Sequence, residues 1–275
     1  MNTGRPMVSQ RTSMIPRSAR LAVLSLACGL AAARAEKLTV AAATNLTYAV
    51  AALNAAYQQA NPADRITPTI ADSDDLFTQI KAGAPADVFL AADVEYPQKL
   101  VDAGLARADS IITYATGRLA LYTLNPDLDV TNVDTVLADP RVKHIAIPDP
   151  LTAPYGHAAK QTLLELEIWD QSQSRLVVTP TLEKAEEAVI AGRADVGFVA
   201  LSLMLSPTHK NKGAYHEVPP ELYDPLDQGA VITKQGETNP AAKRYLAFLK
   251  TRAAKDVLRK FGYDVPAFES GDDQP

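Results

Sequence analysis

From Lys37 onward the chain alternates short apolar runs with stretches of helical periodicity, and few folds accommodate that alternation. KLTVAAA (37–43) precedes a helical pattern over about 46–60, whose Leu46, Val50, Leu53 and Tyr57 share one face before Asn61-Pro62 stops it. Strand-like segments recur at 66–71, 87–91, 118–124, 144–147, 175–178, 196–199 and 230–233. Helical ones recur at 76–81, 96–103, 155–166, 183–191, 241–250 and 253–261, with Gly83 and Gly104 closing two of them. This order predicts an α/β protein with mostly parallel sheets flanked by helices. A composition change near Gly117 and the return of strand pattern at 230–233 suggest two lobes, the second inserted in the first. The expected division is 36–119 with 226–275 for lobe I and 120–225 for lobe II.

The first 35 residues stand apart. They carry five arginines and no acid, with an apolar run from Leu21 to Ala33 that ends in Ala33-Arg34-Ala35. This pattern reads as a cleavable secretory signal, too short to span a bilayer. Ser25-Leu26-Ala27-Cys28 loosely resembles a lipoprotein signal, but cleavage after Ala35 is expected in preference to lipidation at Cys28. Cleavage there leaves 22 basic against 32 acidic residues and no cysteine. Disulfides and thiolate chemistry are thereby excluded, and nucleic acid becomes a poor partner. Glu269 to Pro275 reads as a frayed tail.

Four strand-to-helix junctions carry a neutral hydrogen-bonding residue: Thr44-Asn45, Ser73 within ADSDDLF, Tyr155 within LTAPYGHA, and Thr181-Leu182. A helix start offers unbonded N–H groups at the positive end of its dipole, so several starts meeting at one point would hold an anion without Lys or Arg. Each residue is also an ordinary helix cap, a role that stabilises a helix by about 1 kcal/mol. Periodicity does not decide between the two roles. Other chemistry is sparse: His144, His157, His209 and His216 lack metal-ligand spacing, and Ser202 lacks a nucleophile-elbow context. An enzyme is not indicated, and no cofactor is expected.

The stretch KAGAPADVFLAADVEYPQKLVDAGL is similar to the signature region of the periplasmic molybdate-binding proteins that serve ABC transporters. VAAATNLT, IAIPDPLTAPYGHAAKQTL, AGRADVGFVALS and QGAVIT carry the same resemblance, in the same order, over about residues 37–263. The resemblance implies a type II periplasmic binding protein whose cleft holds molybdate or tungstate through neutral donors. It further implies a monomer that delivers the ion to an inner-membrane permease and its ATPase. By position it carries over Thr44 and Ser73 as hydroxyl ligands, Asn45 as an added amide donor, and Leu182 as a backbone N–H donor. Ala200 stands where many members have a ligand tyrosine, and Tyr155 points to a subgroup whose hydroxyl at that position does the equivalent work.

Asp72, Asp74 and Asp75 depart from the Ser/Gly-rich form of the second site. A carboxylate facing the cleft would repel an anion by roughly 4 kcal/mol per charge pair at 4 Å and an effective dielectric near 20, so the three acids are expected to point outward. Two alternatives stay open at this stage. One is a receptor for another tetrahedral oxyanion such as phosphate or sulfate; the other is an enzyme on the same bilobed scaffold.

Overall fold

A computed structural model describes residues 1–4 and 35–267 of the 275-residue chain. The signal expected over 1–35, with Cys28, lies almost wholly outside the described residues, as does the tail Glu269–Pro275. The architecture belongs to the unit that begins at Arg34. Its strands are β1 (Lys37–Ala43), β2 (Arg65–Ala71), β3 (Val88–Leu90), β4 (Ile112–Gly117), β5 (Leu119–Thr123), β6 (Ile145–Pro148), β7 (Leu176–Thr179), β8 (Val196–Ala200), β9 (Ala214–Glu217) and β10 (Leu226–Ile232). Its helices are α1 (Ala49–Ala60), α2 (Ser73–Lys81), α3 (Glu95–Asp102), α4 (Val133–Ala138), α5 (Pro154–Glu165), α6 (Trp169–Ser172), α7 (Leu182–Ile190), α8 (Leu201–Met204), α9 (Pro240–Phe248) and α10 (Arg252–Lys260).

The strands form two five-stranded sheets, ordered β2-β1-β3-β10-β4 and β7-β6-β8-β5-β9. In the first, β1 pairs in parallel with β2 and β3, while β10 runs antiparallel to β3 and β4. The second repeats this pattern with β5 as the reversed strand. Each sheet is therefore mixed, with four strands pointing one way and one against them. The chain passes from the first sheet to the second at Arg118 and returns between Glu217 and Leu226. Arg118 pairs with Glu217, which ties the two crossovers together.

Alternation along β1 explains how the first sheet is covered on both faces. Leu38, Val40 and Ala42 point into one cluster with Val50, Leu53 and Tyr57 of α1, Tyr245 of α9 and Leu258 of α10. Ala41 points the other way, into a cluster with Leu76 and Ile80 of α2 and Tyr96 and Leu100 of α3. Burying each large side chain of α1 contributes about 1.5–3 kcal/mol, far more than intrinsic helix propensity. Helix α2 stops where Gly83, at φ 93°, takes the left-handed conformation and lets Ala84 N–H reach back to the Gln79 carbonyl. The second sheet shares one cluster with α4, α5, α7 and α8, in which Leu182, Ala185 and Val189 form the buried stripe of α7.

One element departs from the periodic reading. Helix α1 begins at Ala49, and Thr44–Leu46 form a separate 3₁₀ turn with no side-chain cap bond. The Thr47 hydroxyl and N–H both donate to the Thr44 carbonyl, which closes that turn before α1 starts. The first junction is thus a tight turn at a strand end and not an α-helix cap.

Candidate functional site

In both sheets the carboxyl ends of the parallel strands face a common cleft, the place where open α/β sheets bind ligands. Thr44 and Asn45 follow β1, Asp72 and Ser73 follow β2, and Ala92 lies just past β3. From the second sheet, Ala153, Pro154 and Tyr155 come after β6, and Leu182 after β7. These residues, with Ala43, line one small pocket. All five residues singled out in the sequence (Thr44, Asn45, Ser73, Tyr155 and Leu182) meet there, drawn from four strand ends.

The lining contains no Lys, Arg or His. Its donors are backbone and hydroxyl groups. The N–H groups of Asn45, Ser73 and Tyr155 lie in the first turn of their helical segments and donate to no other described residue. The Ser73 hydroxyl accepts from the Ala92 N–H at 2.9 Å, which leaves its own proton to be donated. Tyr155 sits one residue after Pro154, at the second position of α5, so its N–H points out of the helix start. The Tyr155 hydroxyl is fully buried, accepts from Asn45 Nδ2 at 3.3 Å and lies against Gly117. Burial holds that phenol well above its ordinary pKa, so it stays protonated.

Asn45 braces the site from behind. Its Nδ2 also meets Gln228 Oε1 at 2.7 Å and Tyr263 Oη at 2.9 Å, while its carbonyl accepts from the Ser202 and Tyr263 hydroxyls. Gln228 and Tyr263 were not singled out in the sequence. Gln228 is a lone amide within the buried strand LDQGAVI, which was the available signal. Three further bonds tie the lobes: Tyr96 Oη to the Thr152 carbonyl at 3.0 Å, Thr208 Oγ1 to Tyr48 Oη at 2.7 Å, and the Leu182 N–H to Asp72 Oδ2 at 2.8 Å.

The last of these corrects the expectation that all three acids point outward. Asp75 is exposed and Asp74 half-buried, but Asp72 is 7% exposed and lines the pocket. It is the N-cap residue of α2, yet its carboxylate caps nothing on that helix. One oxygen takes the Leu182 N–H instead, and the other, Oδ1, is buried with no hydrogen-bond partner among the described residues. Burial raises the pKa of this carboxyl; the Thr44 hydroxyl and Leu182 N–H oppose the rise, while the charges of Asp74 and Asp75 add to it.

Two mixed sheets with a charge-free donor cluster in the cleft between them define a solute-binding protein of the type II periplasmic fold. The family model described as bacterial extracellular solute-binding protein matches residues 38–264. A relative from Rhodobacter capsulatus named molybdate-binding protein ModA is 38% identical over 87% of this chain and 93% of its own length. The solved periplasmic molybdate-binding protein of Azotobacter vinelandii superposes with a TM-score of 0.77 at 34% identity, over 84% of this chain and all of that one. The substrate-binding domain of a putative molybdenum ABC transporter from Clostridium difficile gives 0.68 at 25% identity, over 85% of this chain and all of that one. The chain belongs to the ModA family of bacterial extracellular solute-binding proteins.

Proposed function

We propose that this protein captures molybdate in the periplasm and hands it to the permease and ATPase of an ABC transporter, acting as a monomer and not as an enzyme. The observation that carries the reading is the set of unbonded N–H groups of Asn45, Ser73 and Tyr155, from three strand ends, with the Ser73 hydroxyl proton beside them, around a pocket without a cationic side chain. The Thr44 hydroxyl, the Asn45 N–H, the Ser73 N–H and hydroxyl, and the Leu182 N–H would each take an oxyanion oxygen. Tyr155 would contribute through its N–H, which at the second position of α5 has no helical partner, while its hydroxyl accepts from Asn45. If these donors are spaced for a large tetrahedron, a smaller one such as sulfate would be left short of contacts. Tungstate, nearly the same size, would bind as well.

The lobes, 36–119 with 226–275 and 120–225, would close about the crossovers at Arg118 and 218–225 as the ion enters. Export would use the leader over residues 1–35. The names of the relatives support the ligand and the transporter. A second reading draws on Asp72, whose unpartnered oxygen could accept the proton of hydrogen phosphate. Calorimetric titration with molybdate, tungstate, sulfate and phosphate separates the two. Tight molybdate binding with none of phosphate supports the first reading, and the reverse overturns it.

A further inference from the structure

We propose that Asp72 is a resident competitor for the oxyanion: its carboxylate occupies a donor that the incoming ion needs, and in doing so latches the two lobes. The inference rests on the oxyanion reading of the pocket, but its latch half does not.

An aspartate before the first turn of a helix ordinarily accepts from that helix's own N–H groups, a local and inexpensive bond. Asp72 forgoes it. Its side chain leaves the α2 start and reaches across the cleft to a residue 110 positions later in the chain, the first of α7. The Leu182 N–H that it takes is one of the donors lining the pocket. A carboxylate and a tetrahedral oxyanion present the same kind of oxygen to such a donor, and the helix dipole favours either.

The second carboxylate oxygen gains nothing from the bridge. Oδ1 is buried in the pocket wall without a partner, although Asp72 is more than nine-tenths buried. An unpaired buried acceptor is unfavourable, so the present position of the carboxylate leaves one oxygen that would gain a partner on turning. A dianion seated on the Ser73, Tyr155 and Leu182 donors would stand beside this carboxylate, and two anions cannot share the Leu182 N–H. Ion binding therefore requires Asp72 to turn away. The first-turn N–H groups of α2 offer it an alternative partner one bond rotation away, so the side chain has two bonded positions, a latch across the cleft and a cap on its own helix.

The test uses the full mature chain with Asp72→Ser and Asp72→Asn, both substitutions by good cap residues, with folding checked by thermal melting. Titration with sodium molybdate should give roughly 10- to 100-fold tighter binding for Asp72→Ser, the equivalent of one charge-assisted hydrogen bond made available. Asp72→Asn, which keeps an acceptor for Leu182 but no charge, should fall between. Small-angle scattering without added oxyanion should give a larger radius of gyration for Asp72→Ser than for the unsubstituted protein. Molybdate binding that is unchanged or weaker in both variants overturns the competition. Loss of phosphate binding in the variants, with molybdate bound by none of the proteins, makes Asp72 an acceptor for the ion's proton and overturns it too. If none of the three bound any oxyanion, the molybdate reading and the competition would fall together, and expansion of Asp72→Ser would uphold the latch alone.

Discussion

The side-chain amide of Asn45 donates to Oε1 of Gln228 at 2.7 Å, and neither side chain reaches solvent. Gln228 is itself oriented by two bonds from its Nε2, to the carbonyls of Ala92 and Leu226. Because that amide can turn only one way, Asn45 can turn only one way, and the N–H of the Thr44–Leu46 turn is aimed by a residue 183 positions later. Replacing Asn45 by Ala removes the two amide protons that Gln228, Tyr263 and Tyr155 share. The expected loss is about 2–4 kcal/mol of unfolding free energy, measured by denaturant titration.

Ser73 and Tyr155 should respond differently to loss of a hydroxyl. On the proposed function Ser73→Ala removes one of the ion's donors and should weaken molybdate binding by about 1.5–3 kcal/mol in calorimetry. Tyr155→Phe keeps the backbone N–H and removes an oxygen that accepts from Asn45. Its effect on affinity should stay below about 1 kcal/mol. Equal losses from the two substitutions would mean that the tyrosine hydroxyl contacts the ion directly.

Gly117 stands at the end of β4, one residue before the chain leaves the first sheet. A Cβ there would collide with the Tyr155 hydroxyl and lie 2.9 Å from Gln228 Nε2. Tyr155 is itself buried, so its retreat would disturb the packing around it. Gly117→Ala should therefore cost about 1–3 kcal/mol in stability and reduce molybdate affinity in the same protein. Thermal melts with and without molybdate read both effects.

Burial pushes Asp93 up to about 6, with the charge of Glu95 adding to the rise and the Tyr96 N–H and Lys99 opposing it. The folded state then holds this proton more tightly than the unfolded chain does. The stability linked to it is fully present below the unfolded value near 3.9 and is lost as pH rises through about 6. The loss is of order 3 kcal/mol. Asp93→Asn, which can still accept from the Tyr96 N–H, should flatten the dependence of unfolding free energy on pH between about 4 and 7. An unchanged slope would assign the dependence to other groups.

Much of the fold was legible because the strands of both sheets announce themselves as apolar runs and the helices as stripes such as Val50-Leu53-Tyr57. The short strand β9, the edge strand β4 and the helix α4 were not, since each has a weak pattern and owes its conformation to its neighbours. The candidate ligands could be picked out as hydrogen-bonding residues at strand ends, but their meeting in one pocket is a property of the sheet order. The turn of Asp72 into the cleft was hidden for a different reason. Local rules place an aspartate at a helix start on its own helix, and only the arrival of Leu182 from the other lobe offers it a better donor.

The strand order also sets a sequence of assembly. The second sheet is contiguous in the chain, from Leu119 to Glu217, and can be completed as soon as that stretch is available. The first sheet cannot: β4 has no neighbour until β10 slots between it and β3. A chain emerging from its amino end, whether from a ribosome or through a membrane channel, thus finishes its later lobe first. The earlier lobe waits with a gap in its middle, and the half of the pocket built on β1 and β2 gains its Gln228 brace only when nearly the whole polypeptide has been delivered.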